Sequence, residues 1–175
     1  DRMMDMGFIP DIEKIVSLIP PNRQTLLFSA TMPPEIKRLS DKFLTNPKEI
    51  SVAAPATTSE NIEQFLVHTH PKNKKSVLAR LMKQENPKNA FIFLNRKRDI
   101  GDVASFLSKQ GYAAAPLHGD MVQAARTKTL QDFRDGTVKF LVCSDVAARG
   151  LDISAVSHVF NYDVPMSPDD YVHRI

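Results

Sequence analysis

The sequence predicts an α/β protein in which parallel sheets are flanked by helices. Short apolar runs alternate along the chain with stretches whose apolar residues recur at i, i+3, i+4 and i+7, as on one face of a helix. The runs are apolar throughout and bounded by Gly, Pro or polar residues, which is typical of strands in a parallel sheet that helices cover on both faces.

The N-terminal part of the chain predicts two helices, two short strands and a linker. A helix is predicted over residues 10–19, because its apolar residues share one face, and Pro20 ends it. The stretch QTLLFSAT predicts a strand, Pro33 suits the first turn of a second helix, and KEISVA predicts another strand. Residues 54–61, APATTSEN, are small and polar without periodicity, so we predict a linker there.

A longer series of alternating strands and helices follows the linker. The predicted strands are IEQFLVHTH, AFIFL, AAAPLHGD, VKFLVCSD and VSHVFNYDVP, and the predicted helices cover residues 73–85, 97–110 and 121–135. Gly111 and Gly136 directly follow the last two helices, where a glycine favours the left-handed backbone of a helix end.

The amino-acid composition limits the possible functions of the protein but does not identify one. The chain has 23 Lys and Arg against 20 Asp and Glu, a net charge of +3 that permits a nucleic-acid partner. We find no apolar run long enough to span a membrane. The single cysteine, Cys143, lies in an apolar run, so we predict a buried structural thiol and a reducing, cytoplasmic location. His68 and His70 have no Cys or carboxylate cluster beside them, so we predict no metal site within the chain.

Polar clusters follow four of the predicted strands: SAT, NRKRD, HGD and SDVAARGLD. Ligands of open parallel sheets bind beyond the carboxyl ends of the strands, so we expect the clusters to line one edge of a sheet, or of two facing sheets. For any single cluster, ordinary helix capping by Asp120 or Ser144 is an equal alternative. Four clusters at the same edge favour a functional face.

The chemistry of these clusters suggests phosphate. Gly119 and Gly150 have no Cβ, so backbone N–H groups there can approach a ligand closely, and helix N-termini beside them favour anions. Gln123 and Arg126 share one face of a predicted helix, and an amide beside a guanidinium suits a phosphodiester backbone or a ribose. Asp152 would repel phosphate but can accept a hydrogen bond from a sugar hydroxyl.

Seven stretches, in this order, resemble motifs of the DEAD-box family of ATP-dependent RNA helicases: DRMMDMGF, SAT, FIFLNRKR, HGDMVQAAR, SDVAARGLDI, FNYDVP and YVHRI. The resemblance spans essentially the whole chain, and the ordered set is far more specific than any one motif. It implies tandem RecA-like domains. Residues 1–53 would be the C-terminal part of the first domain, and residues 62–175 most of the second.

The resemblance also implies roles for individual residues. Asp1 would be the last residue of the acidic box, and Ser29 and Thr31 would couple ATP hydrolysis to unwinding. The implied ATP-binding residues are Gly150 and Asp152, and the implied RNA-binding residues are Arg96, Gly119, Asp120, Gln123, Arg126 and Ser144. The implied interdomain residues are Asp145, Arg149, His173 and Arg174. For Asp145 and Arg149, structural salt bridges are a comparable alternative. Arg96 and Ser144 stand where the family frequently has threonine.

The implied activity is RNA-stimulated ATP hydrolysis coupled to local unwinding of short RNA duplexes, with sequence-tolerant contacts to the RNA backbone. ATP and Mg²⁺ are the implied cofactors, with the Mg²⁺ ligands mostly outside the chain. The sequence contains no G-x-x-x-x-G-K-[ST] and ends before the expected finger arginines, so we expect an inactive segment of a longer helicase. A DNA translocase of the same superfamily and a non-enzymatic RNA-binding module remain alternatives.

Overall fold

The computed structural model describes residues 7–29, 32, 34–51, 62–148 and 156–175. Contacts between residues divide the chain into two compact units, Asp1–Ser59 and Glu60–Ile175. The predicted linker, residues 54–61, lies outside the described residues, and the predicted domain limits stay a prediction.

The described residues of the N-terminal unit contain two helices, α1 (Ile9–Leu18) and α2 (Pro34–Phe43). α1 confirms the helix predicted over residues 10–19. It ends at Leu18 because Ile19 precedes Pro20 and takes an extended backbone, with φ −89° and ψ 151°. On α2, Ile36 is buried, as its predicted place on the apolar face requires.

Three predicted strands do not form in the described residues. QTLLFSAT is described as far as Ser29 and KEISVA as far as Ser51, and neither belongs to a sheet. The same is true of residues 62–70, IEQFLVHTH. Phe28 and Phe65 are 83% and 80% exposed. A strand requires a neighbour whose backbone groups bond to its own, and none of the described segments pairs with these three. These strand predictions are therefore wrong for the described residues.

The C-terminal unit alternates helices and strands. In chain order its elements are a 3₁₀ helix (Pro71–Asn73), α3 (Lys74–Glu85), β1 (Ala90–Phe93), α4 (Lys97–Lys109), β2 (Ala114–Leu117), α5 (Gln123–Arg134), β3 (Phe140–Cys143), α6 (Asp145–Ala148), β4 (His158–Asn161) and α7 (Pro168–Arg174). The three helices predicted after the linker are confirmed to within two residues. The last four predicted strands, from AFIFL to VSHVFNYDVP, are also confirmed, because each of these stretches contains one of the strands β1 to β4.

The four strands form one parallel sheet in the order β2-β3-β1-β4. In β1, Ala90 is paired with Phe140 of β3 and with His158 of β4, and Ala114 of β2 is also paired with Phe140. Because all the strands run in the same direction, their carboxyl ends meet at one edge of the sheet. This confirms the predicted parallel architecture.

Helices cover both faces of this sheet, as predicted. On one face, Ile92 and Val142 pack with buried residues of α3 and α4. On the other face, Leu141 and Cys143 pack with Phe133 of α5 and with α6. Strand residues on both faces are buried, which explains why β1 and β3 are apolar throughout.

Local details of the C-terminal unit also agree with the sequence. Gly111 and Gly136 follow α4 and α5 with φ of +87° and +77°, the left-handed backbone expected of a glycine at that place.

The Cys143 thiol is buried, and burial raises its pKa well above the usual range. Among the described residues, no helix has the length and apolar character needed to cross a membrane.

Candidate nucleic-acid interface

The carboxyl edge of the sheet consists of the segments that follow its strands: residues 94–98 after β1, 118–123 after β2, 144–148 after β3 and 162–164 after β4. The predicted clusters NRKRD and HGD and the described start of SDVAARGLD all lie there. These clusters therefore share one edge, as the sequence predicted. The SAT cluster belongs to the other unit and follows no described strand.

The segment after β1 contributes basic side chains to this edge. Arg96 is exposed and is the N-cap residue of α4. Lys97 Nζ lies 2.9 Å from Asp120 Oδ1, which joins the segment after β1 to the segment after β2. The hydrogen bond from Lys97 holds the pKa of the Asp120 carboxyl below its usual range. Asp120 is thus an ionised partner of a lysine, and this pairing offsets its charge beside the predicted phosphate site.

Gln123 is the first residue of α5, and Arg126 lies three residues later. The two residues therefore share one face of the helix, as predicted. Gln123 is exposed, and Gly119 is exposed in the turn before it. Arg126 is half-buried, and its Nη2 donates to the backbone oxygen of Ala147 at 3.1 Å. Arg126 therefore links α5 to the short helix α6.

Ser144 is half-buried at the end of β3. Its backbone oxygen accepts hydrogen bonds from the amides of Ala147 and Ala148, both at 3.1 Å, and these bonds form the turn of α6. Asp145 is the first residue of α6 and binds Arg174 with both carboxylate oxygens, at 2.5 Å and 2.9 Å. This ion pair lies inside the C-terminal unit and corresponds to the salt-bridge alternative for Asp145. An interdomain role for Asp145 and Arg174 stays a prediction.

Sequence reasoning missed three residues at this edge, Asn95, Asn161 and Asp163. Each provides an acceptor for Arg174: Asn95 Oδ1 at 2.8 Å, Asn161 Oδ1 at 3.1 Å and the Asp163 backbone oxygen at 2.7 Å. Asn95 and Asp163 follow β1 and β4, and Asn161 ends β4, so polar residues at strand ends were the available signal. All three stand inside stretches already identified as motifs.

Of the remaining predicted residues, two belong to the described part of the chain. His173 is exposed on α7, and Ser29 is half-buried in the segment between α1 and α2. Asp1, Thr31, Arg149, Gly150 and Asp152 lie outside the described residues.

His118, next to Gly119, has a buried Nδ1 for which the described part of the protein provides no hydrogen-bond partner. No three His, Cys, Asp or Glu side chains in that same part lie close enough together to hold a metal ion.

Comparison with known proteins decides the family. The model of the helicase conserved C-terminal domain matches residues 73–175, which is more than half of the chain. The chain belongs to this helicase family. A second model, of the DEAD/DEAH box helicases, matches residues 1–39. Together these matches confirm the resemblance to DEAD-box proteins.

Individual relatives agree with this assignment. The DEAD-box ATP-dependent RNA helicase CshA of Bacillus licheniformis is 48% identical over 100% of this chain, which covers 36% of that protein. A DEAD box protein of the hyperthermophile Methanococcus jannaschii is 36% identical with a TM-score of 0.63, covering 100% of this chain and 47% of that one. Dbp5 of S. cerevisiae, bound to RNA and ADP BeF3, is 27% identical with a TM-score of 0.87, covering 98% of this chain and 46% of that one.

The chain spans about a third of the length of the curated relatives that it matches, between 33% and 38% of each. The structural neighbours are DEAD-box helicases, which confirms the predicted RecA-like α/β architecture.

Proposed function

We propose that the protein is an ATP-dependent RNA helicase, in which RNA-stimulated ATP hydrolysis is coupled to local unwinding of short RNA duplexes. The proposal rests mainly on the residues at the carboxyl edge of the C-terminal sheet. Arg96, Gly119, Gln123, Arg126 and Ser144 all follow the ends of three adjacent parallel strands there. The names of the relatives, which specify ATP and RNA, support the same activity.

The electrostatics of this edge suit an RNA backbone. Its carboxylates at Asp120 and Asp145 each lie against a basic side chain, Lys97 and Arg174 respectively. Arg96 is exposed in the segment after β1. Backbone N–H groups at the start of α5 add partial positive charge. Contacts of this kind reach phosphates and 2′-hydroxyls and carry little base information, so binding would tolerate many sequences.

ATP would bind through Gly150 and Asp152, with Asp152 accepting from the ribose, and Asp1 would complete the acidic box. These roles rest on the motif resemblance. Among the described residues, no three His, Cys, Asp or Glu side chains form a possible metal site. We expect Mg²⁺ to be held mainly by residues outside residues 1–175. A cytoplasmic location is proposed from the single buried thiol and the RNA partner.

RNA binding to the protein that carries this chain tests the proposal. Arg126→Gln should weaken the binding of single-stranded RNA similarly for all sequences and reduce the slope of log K against log salt by about 1, as for one lost phosphate contact. Arg126→Lys, which keeps the charge, should keep most of the slope. Lys128→Gln is the matched control, because Lys128 lies on the same helix and binds Asp132 at 2.9 Å.

An equal loss in the Arg126→Gln and Lys128→Gln variants would remove Arg126 from the RNA site. Equal competition by DNA and RNA of one sequence would favour a DNA translocase. RNA binding without ATP hydrolysis in the protein with its P-loop would favour a non-enzymatic RNA-binding module.

Two further variants separate the proposed roles. Changing Ser29 and Thr31 together to alanine should reduce unwinding more than ATP hydrolysis, because both residues lie in the proposed coupling motif. Asp152→Ala should instead raise the KM for ATP. Unwinding and hydrolysis are measured on the same RNA, and an equal loss of both in the Ser29/Thr31 variant at unchanged stability counts against the coupling role.

A further inference from the structure

The guanidinium of Arg174, on α7, forms hydrogen bonds with several segments of the carboxyl edge. Its side chain is 1% exposed. Guanidinium has five N–H donors, and all five are used here. Nε donates to Asp145 Oδ1, Nη1 to Asn161 Oδ1 and the Asp163 backbone oxygen, and Nη2 to Asp145 Oδ2 and Asn95 Oδ1. Burial of a cation is unfavourable unless it is paired and hydrogen-bonded, and Arg174 meets both conditions.

These five bonds join three strand ends to the last helix. The acceptors lie after β1, after β3, and at and after β4, whereas Arg174 itself lies on α7. The guanidinium also lies over the ring of Phe93, 5.2 Å from its centre. Since β3, β1 and β4 are adjacent in the sheet, one side chain fixes the relative positions of three neighbouring loops.

The acceptors are themselves held in place. The Asn95 amide N–H donates to Asp163 Oδ2 at 3.1 Å, and Asn95 Nδ2 donates to the Val164 backbone oxygen at 2.8 Å. Asp163 Oδ1 accepts from Lys74 Nζ at 2.5 Å. Arg174 is the buried member of this group, so displacement of one of its acceptors would leave a buried donor of the guanidinium unsatisfied.

We propose that Arg174 is a positioning residue for the segment that follows β3 and acts on it through Asp145. Asp145 follows Ser144 in this segment and is the first residue of α6. The consequence for ligands rests on the proposed function, which assigns Ser144 to RNA and Asp152, which follows the segment in the sequence, to ATP. Loss of the Arg174–Asp145 pair should therefore weaken RNA and ATP binding together, whereas the Asp152→Ala variant should weaken only ATP binding.

Arg174 does not act as a phosphate ligand in this arrangement, because all its donors are taken by protein acceptors. Lysine cannot replace it, since an ammonium group has three donors and lacks the planar fork that binds both oxygens of Asp145. Arg174→Lys keeps the charge and removes the geometry, which makes it the informative variant.

The first measurement needs no ligand. Hydrogen exchange of the backbone amides is followed in the full-length protein as wild type, Arg174→Lys, Asp145→Asn and Asn161→Ala. The Ala147 and Ala148 amides, bonded to the Ser144 backbone oxygen, report the start of the segment. Asn161→Ala is the matched control, because it also removes an acceptor of Arg174 but leaves the bonds to Asp145. We expect faster exchange of both amides, on the order of tenfold, in the Arg174 and Asp145 variants and not in the control.

The second measurement gives the Kd for RNA and the KM for ATP of the same variants. We expect both to rise together, on the order of tenfold, in Arg174→Lys and Asp145→Asn. If one of these two fails to fold, the other provides the comparison with Asn161→Ala.

Unchanged exchange of the two amides in the folded Arg174→Lys or Asp145→Asn variant would overturn the positioning role, whatever the ligands do. It is also overturned if Asn161→Ala shows the same faster exchange and the same loss of affinity at an equal change in Tm, since stability alone then explains the effect. If exchange responds as expected but the wild type binds neither RNA nor ATP, the proposed function fails and the positioning role stands.

Discussion

The two units of the chain differ in how their apolar residues are buried. In Glu60–Ile175, a four-stranded sheet lies between helices, and strand residues such as Ile92 and Leu141 are inaccessible to solvent. In Asp1–Ser59, the described residues form helices without a sheet, and α1 has no buried residue. Leu18 at the end of α1 is 76% exposed.

This difference shows what each kind of element needs. A helix bonds its backbone groups within itself, so α1 forms from its local sequence even where its apolar face is exposed. A strand needs a paired neighbour, and burial on two faces needs helices on both sides. The C-terminal unit contains all of these parts, and the described residues of the N-terminal unit do not.

The largest expected effect concerns activity. Residues 1–175 alone should neither hydrolyse ATP nor unwind RNA, because the N-terminal unit lacks a P-loop sequence and the chain lacks the expected finger arginines. Loss of an arginine finger alone reduces the rate by ~10³–10⁵. The assay is phosphate release by the purified chain with saturating RNA. Turnover above a no-protein blank that Asp152→Ala abolishes would contradict this expectation.

The next prediction uses Cys143, the one cysteine of the sequence, as a probe of the C-terminal unit. The thiol is buried and its pKa is raised, so the reactive thiolate forms only when the sheet opens. Alkylation by iodoacetamide at pH 8 should be slower than in urea-unfolded protein by ~10³ or more, since core opening requires several kcal/mol. Equal rates in the two states would show that this core is not closed.

A pair of leucine variants compares the two units directly. Leu141→Ala removes a buried side chain from β3 and should lower the free energy of unfolding by about 2–5 kcal/mol. Leu18→Ala removes an exposed one from α1 and should change it by at most about 0.5 kcal/mol. Urea unfolding of both variants is followed by circular dichroism. A large loss in Leu18→Ala would mean that α1 is packed against something, and the contrast between the units would be smaller.

The smallest expected effect is a pH dependence at the carboxyl edge. Lys97 lowers the pKa of Asp120, so this pair stabilises the folded state above the unfolded pKa of the carboxyl, and the contribution disappears as the pH falls through the lower folded pKa. Asp120→Asn should therefore lower the Tm slightly at neutral pH and not in strongly acidic buffer. In a Lys97→Met background the difference at neutral pH should vanish. If Asp120→Asn still lowers the Tm in the Lys97→Met background, another partner of Asp120 is responsible for the effect.

Much of the C-terminal unit could be predicted from the sequence. Apolar periodicity gave α3, α4 and α5 to within two residues, and the glycines at 111 and 136 marked two helix ends. The apolar runs gave the four strands of the sheet. Ligands of parallel sheets bind beyond the carboxyl ends of the strands, and this rule predicted one common edge for the clusters after β1, β2 and β3. The three clusters lie at that edge.

The same reasoning failed for QTLLFSAT, KEISVA and IEQFLVHTH, whose described residues form no strand. Each contains Leu, Ile, Val or Phe residues like those of β1 and β3, together with more polar residues. β1 and β3 also have parallel neighbours in the chain, and a short run of apolar residues does not show whether such a neighbour exists.

The sequence by itself determined helices α1 to α5, the strands of the C-terminal sheet and the edge at which three of the polar clusters meet. These properties depend on residues a few positions apart and on the general geometry of parallel sheets. Tertiary structure alone decided the bonding of Arg174, whose acceptors Asn161, Asp145 and Asn95 lie 13, 29 and 79 residues away in the chain. No periodicity relates residues so far apart, and only the folded sheet brings their strand ends within reach of one guanidinium.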